Sequence, residues 1–258
     1  MVKGLELFRD FFRGYEDCYT LIGGAACDLW MGELGLKFRA TKDLDVVLVF
    51  DGQRPDFVKR LWEFVENGGY EGYRGGEEPQ NFYRFQKPAT GGFPYKLEIC
   101  AKRPIDVPQH VKIAKIPAGE DVSSLSAILL DEQYYELVRR NGRTIQGVPT
   151  VTGACLIPLK VKAWLNLSER KQNGENIDQH DIDKHRTDVF RLLMTLTLGD
   201  TIELTQAIRN DFGKFIEKLP TDSPAWKSIA ASLKSTSNLT LPPPIEIVTI
   251  YRKFAKLN

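Results

Sequence analysis

The chain has 258 residues, 42% of them hydrophobic and 27% charged, with a formal net charge of +1. That composition excludes the disordered and collagen-like classes, and a near-neutral field means that any RNA partner would be held by a local basic patch. Cys18, Cys27, Cys100 and Cys155 match no CxxC or Cys/His zinc spacing and read as buried reduced thiols; with an acid-containing, unsignal-like N-terminus and no apolar run of spanning length, they predict a cytoplasmic protein with no membrane partner.

Leu5, Phe8, Phe12 and Tyr15 recur at near-helical spacing and predict an opening helix over 4–16. "CYTLIGG" reads as a strand stopped by glycines, and "AACDLWMGEL" as a helix ending near Gly35. "KDLDVVLVF", rich in β-branched residues, is the clearest strand and closes at an Asp51-Gly52 turn. Phe57, Leu61, Phe64 and Val65 share one helical face, ended by Asn67-Gly68-Gly69, and "QNFYRFQK" and "YKLEICAK" follow as antiparallel strands. Near residue 120 the texture changes. "EQYYELVRRNGRTIQGVPTV" predicts a hairpin turning at Asn141-Gly142, and helices are expected at 152–169, 181–197, 201–218, 224–234 and 244–257. Pro158 marks a kink, and the polar "RKQNGENIDQ" an exposed loop. The expected class is α/β (α+β): a mixed sheet flanked by helices over 1–120, then a mostly helical half over 121–258 with a hairpin near 132–151.

In a strand, side chains two apart share a face, so Asp43 and Asp45 project together, about 7 Å apart at the backbone. Two ionised carboxylates so placed repel each other unless a cation compensates, and magnesium is a hard ion suited to oxygen ligands. The same pair also suits a solvated turn neutralised by Arg39 and Lys42. Gly23-Gly24 upstream sit where a strand passes into a helix, a geometry that brings backbone N–H groups close to a phosphate, although Gly-Gly is also a common turn and no Walker or GxGxxG loop is present. Farther on, Lys160 reads equally as a phosphate contact or a surface residue, Lys162 rather as a surface residue, and Lys184 and Asp188 as an i,i+4 pair. His180, Asp181, Asp183 and His185 are clustered in sequence, but helical spacing does not bring them together around zinc. Arg139, Arg140, Arg143, Lys160, Lys162, Arg170 and Lys171 would suit an RNA backbone if they converge, and an evenly charged surface if they do not.

"LIGGAACDLW" followed by "FRATKDLDVVLVF" resembles the nucleotidyltransferase superfamily of the DNA polymerase β type, whose signature is a hydrophobic residue, Gly-Gly or Gly-Ser, a short helix, and then a hydrophobic-flanked Asp-x-Asp. The likeness is strongest to the AbiEii-like toxin group, in which Arg-x-Thr-x, here Arg39, Thr41 and Lys42, leads into the acids. Glu98 in "YKLEICAK" matches the third carboxylate, with Glu where Asp is usual. Lys160 to Ala163 match Lys-x-x-Ala, and "KHRTDVFRLL" matches Lys-Asp-x-x-Asp at Lys184 and Asp188, with His185 departing from the pattern.

The resemblance implies a nucleotidyltransferase-like sheet and transfer of an NMP group from an NTP, ATP among them, to an acceptor hydroxyl. It implies Asp43, Asp45 and Glu98 as catalytic and metal-binding residues, with Mg2+ or Mn2+ as cofactor. Gly23, Gly24, Arg39, Thr41, Lys160 and Asp188 would bind nucleotide. The acceptor would be an RNA or tRNA end or a protein, and an antitoxin protein would be a partner. Two other readings stay open: a sugar-nucleotide glycosyltransferase using Asp-x-Asp, and an inactive module that binds RNA or protein.

Overall fold

Strand patterning places the sheet, and the computed structural model describes it through residues 2–50, 54–75, 82–111, 113–115, 128–129, 131–196, 202–219 and 224–257. The expected Asp51-Gly52 turn lies outside the described residues. The chain divides into two compact units, one of Met1–Leu29 and Ala40–Val151, the other of Trp30–Arg39 and Thr152–Asn258. The described residues 131–151 fall within the first unit.

The first unit holds β1 (Tyr19–Ile22), β2 (Asp43–Leu48), β3 (Glu71–Gly75), β4 (Phe82–Gln86), β5 (Lys96–Ala101) and β6 (Ile113–Lys115) in one mixed sheet of order β1-β2-β5-β4-β3-β6. β2 runs antiparallel to β1 and parallel to β5, and β4 runs antiparallel to β5 as expected. Alternation then sorts the side chains. Tyr19, Leu21, Leu44, Val46, Tyr83, Phe85, Leu97 and Ile99 fall on one face, and all are buried. That face is covered by α1 (Leu5–Phe11) and α3 (Pro55–Gly68) through aromatic contacts: Phe8 to Tyr19 at 5.3 Å, Phe8 to Phe64 at 5.3 Å, and Trp62 to Phe85 at 5.8 Å between ring centroids. Fully burying rings of this size contributes on the order of 1.5–3 kcal/mol each, which anchors the sheet to the helices. The α3 stripe of Phe57, Leu61, Phe64 and Val65 is buried as predicted, and Gly69 closes the helix in the left-handed region at φ 60°. Asp43, Asp45, Lys96 and Glu98 rise from the opposite face.

One element departs from expectation. Residues Glu132–Arg140 form a helix, α4, where the first arm of a hairpin was predicted. Asp131 caps it by accepting from Gln133 N at 2.9 Å, and Tyr134, Tyr135, Leu137 and Val138 bury one helical face. The hairpin comes later, as β7 (Gly142–Ile145) paired with β8 (Val148–Val151), and turns at Gln146-Gly147, whose φ angles of 51° and 77° suit the tight turn of a two-residue loop.

The second unit packs α5 (Gly153–Gln172), α6 (Gln179–Leu193), α7 (Gln206–Glu217), α8 (Pro224–Ser237) and α9 (Pro244–Ala255). Trp164, Phe190, Phe212, Phe215 and Tyr251 form its aromatic core, with Trp164 edge-on to Phe215 at 5.3 Å. Pro158 lies inside α5. Residues 30–39 join this unit because the Trp30 indole donates to Thr195 Oγ1 at 2.9 Å, and only a glycine at 153 leaves room for that indole. Cys18, Cys27, Cys100 and Cys155 are buried, reduced thiols. Among the described residues, no helix is long and apolar enough to cross a membrane.

Candidate functional site: an acid face and a buried carboxylate

The register Ile22↔Asp45 brings the end of β1 beside the second acid. There the chain turns into α2 (Gly23–Glu33) through Gly23 at φ 70°, and a Cβ at Gly23 would collide with the Asp45 carboxylate. A Cβ at Gly24 would collide with Thr41 Oγ1. Both glycines are therefore demanded by close approach, Gly23 also by its left-handed backbone. The N-terminus of α2, the positive end of its dipole, starts beside an acid of the sheet, an arrangement that favours anionic oxygens.

The parallel register Asp43↔Lys96 and Asp45↔Glu98 sets the three predicted acids on one face of adjoining strands. Cations stand among them. The Lys96 ammonium lies 3.1 Å from Asp43 Oδ2 and 3.5 Å from Glu98 Oε1, and Arg84 Nε donates to Glu98 Oε1 at 2.8 Å from the cross-strand position. Glu98 is 1% exposed. Burial alone would lower the Lys96 pKa, but Glu98, then Asp43 and Asp45, outweigh it and hold the ammonium above its ordinary value. Among the described residues, no three His, Cys, Asp or Glu side chains are arranged to hold a metal ion. The donor chemistry nevertheless fits a divalent ion, because Asp43 and Asp45 offer hard oxygens at a place where the fold already seats a cation.

In the second unit, Asp188 on α6 is fully buried and collects cations from three elements. Arg39 makes a two-pronged bond, Nε to Oδ1 at 3.0 Å and Nη2 to Oδ2 at 2.8 Å. Arg191 Nη1 donates to Oδ1 at 2.9 Å, and the Lys160 ammonium, on α5, lies 3.2 Å from Oδ2. Burial pushes the Asp188 pKa up, but Lys160, Arg39 and Arg191 together hold it far below the usual carboxylate range. Lys160 is 1% exposed, which removes the surface reading for it. The expected i,i+4 pair is also corrected: Lys184 bonds Asp181 Oδ1 at 2.6 Å, because the Asp188 carboxylate points into the buried cluster. Lys162 pairs with Asp211 at 2.9 Å, and burial, then Lys160, drive the His185 pKa well down, keeping that imidazole neutral.

The model of a nucleotidyl transferase family, "AbiEii toxin, Type IV TA system", matches residues 7–236. The chain belongs to that family. As an AbiEii-family protein it is a nucleotidyltransferase, and the match runs through elements of both units. No curated protein sequence matches it. A crystal structure of an antigenic nucleotidyltransferase-like protein from Paracoccidioides brasiliensis is similar over 86% of this chain and 90% of that one, at 16% identity and a TM-score of 0.45, too distant to add to the family assignment.

Within this AbiEii-family chain, sequence reasoning missed Lys96, Arg84 and Arg191. Lys96-x-Glu98 carries the same period-two signal as Asp43-x-Asp45, and Arg84 is a charge in the middle of a buried strand. Of the basic residues considered for RNA, Arg139 and Arg140 both bond Glu136, and Arg170 bonds Glu175. A cavity of about 600 Å³ between α3 and residues 103–110, lined by Trp62 and Ile105 among others, opens past the C-terminal ends of β2 and β5, away from the acids at their N-terminal ends.

Proposed function

We propose that the acid face transfers the nucleoside monophosphate of an NTP to an acceptor hydroxyl and releases pyrophosphate. The observation that carries this reading is the packing of Gly23 on Asp45, which sets the N-terminus of α2, a phosphate-favouring end, against the acid strand. Asp43, Asp45 and Glu98 are the residues that would hold a divalent ion, Mg2+ or Mn2+. When bound, such an ion neutralises phosphoryl oxygens and lowers the pKa of an attacking hydroxyl. The chain's own part is orientation: the glycines and Thr41 hold the phosphate-binding turn, and the strand register fixes the spacing of the acids. Within the second unit, the family likeness supports Arg39 and Lys160 as nucleotide-binding cations, with Asp188 as the residue that positions both.

The likeness to toxins supports further readings: the acceptor is an RNA or tRNA end or a protein hydroxyl, an antitoxin protein restrains the enzyme, and the setting is the cytoplasm. The test is incubation with each α-labelled NTP in turn, magnesium, and total RNA or cell extract. Label in a discrete RNA or protein product with at least one NTP is expected. The absence of labelled product with every NTP would overturn the proposal.

A further inference from the structure

Strand β5 answers the Asp-x-Asp of β2 with Lys-x-Glu: Lys96 stands opposite Asp43 and Glu98 opposite Asp45. The cations on this face differ in their freedom to move. Arg84 has a side chain 8% exposed, lies 5.8 Å from the Phe82 ring, and bonds Glu98 through a planar guanidinium. Lys96 sits on a flexible stem, its side chain 24% exposed, and reaches Asp43, which is 38% exposed, as well as Glu98. An ammonium is a compact, mobile point charge, whereas a buried guanidinium is held by its geometry. Of the two, Lys96 is the one that can withdraw.

We propose that Lys96 is a tethered cation that holds the acid face together until a divalent ion arrives, and that the ion must displace it, so that Lys96 sets the affinity of the face for metal. Counting these side chains alone, the three carboxylates and Arg84 leave two negative charges once Lys96 withdraws, which one divalent ion neutralises. With Lys96 in place, only one negative charge remains for the ion, and its ammonium contests the same oxygens. The inference rests on the preceding reading in one respect, that Asp43, Asp45 and Glu98 are the residues that hold the ion.

The experiment measures Mn2+ binding to the intact, nucleotide-free protein by electron paramagnetic resonance of the free ion, with melting curves alongside. Lys96→Gln is expected to bind Mn2+ about tenfold more tightly than wild type. Lys96→Arg keeps the charge and is expected to stay within about twofold of wild type. The metal-free melting temperature of Lys96→Gln should fall below wild type, while the Mn2+-saturated proteins should melt together, because a displaced lysine contributes nothing to the bound state. A merely structural lysine would lower both melting temperatures equally and leave affinity unchanged. Unchanged or weaker Mn2+ affinity in Lys96→Gln, with wild type binding normally, overturns the role of Lys96 alone. Failure of wild type, Lys96→Gln and Lys96→Arg all to bind Mn2+ removes the metal-dependent reading itself.

Discussion

At Gly23 a single hydrogen decides the geometry. A methyl in its place meets the Asp45 carboxylate on a backbone at φ 70°, where an L side chain costs roughly 1–2 kcal/mol before any collision. Gly23→Ala should therefore displace Asp45 and reduce nucleotidyl transfer by about 100-fold or more, while circular dichroism still reports a folded protein. Gly24 faces Thr41 in the same manner, so melting of Gly24→Ala, Thr41→Ala and the double variant should reveal coupling of about 1 kcal/mol, with the second substitution relieving the first. Strict additivity would deny the contact. At Asp188 the sign follows from the lowered folded-state pKa: its stabilising contribution is fully present above the ordinary carboxylate value of about 3.9 and is lost as pH falls below it. Asp188→Asn should cost about 3–5 kcal/mol in urea unfolding at pH 7, the gap to wild type narrowing between about pH 4 and pH 2. A gap that stays constant would contradict the buried charge cluster. At this scale Gly-Gly and Asp-x-Asp are legible because period and residue type suffice. Lys96 and Arg84 are not, because alternation gives the face of a strand but not which strand lies beside it.

At the scale of elements, β2 and α3 follow directly from their periods, whereas a hairpin turning at Asn141-Gly142 was expected where α4 forms and the hairpin follows it. The Asn-Gly dipeptide at 141–142 is a strong turn signal, and it outweighed the helical spacing of Tyr134, Tyr135, Leu137 and Val138 and the capping Asp131. The actual turn uses Gln146, an unusual residue at positive φ, which composition alone does not disclose. Substitutions at the two glycines separate these alternatives. Gly147→Ala, at φ 77°, should lose about 1 kcal/mol, whereas Gly142→Ala, with open space around it, should be nearly neutral. A destabilising Gly142→Ala in thermal melts would restore the turn at 141–142.

For the whole molecule, the mixed sheet and helical content were readable from pattern. Residues 30–39 leave the first unit and join the second through the Trp30–Thr195 bond, a long-range return that no local signal announces. The thiols test how closed the folded chain is. Burial pushes Cys18 and Cys100 up to about 12 and Cys155 higher still, so the native protein should react with iodoacetamide at pH 8 at least about 100-fold more slowly than the urea-unfolded chain. Rapid labelling of any of the three would contradict that burial.

Nucleotidyl transfer by the face carrying Asp43, Asp45 and Glu98 is tested by comparing wild type with Asp45→Asn using one NTP labelled at the α-phosphate, with pyrophosphate quantified. Wild type should place the α-label on its acceptor with equimolar pyrophosphate, and Asp45→Asn, melting within a few degrees of wild type, should lose about three orders of magnitude in rate. Transfer by Asp45→Asn at the wild-type rate would contradict that role of the face.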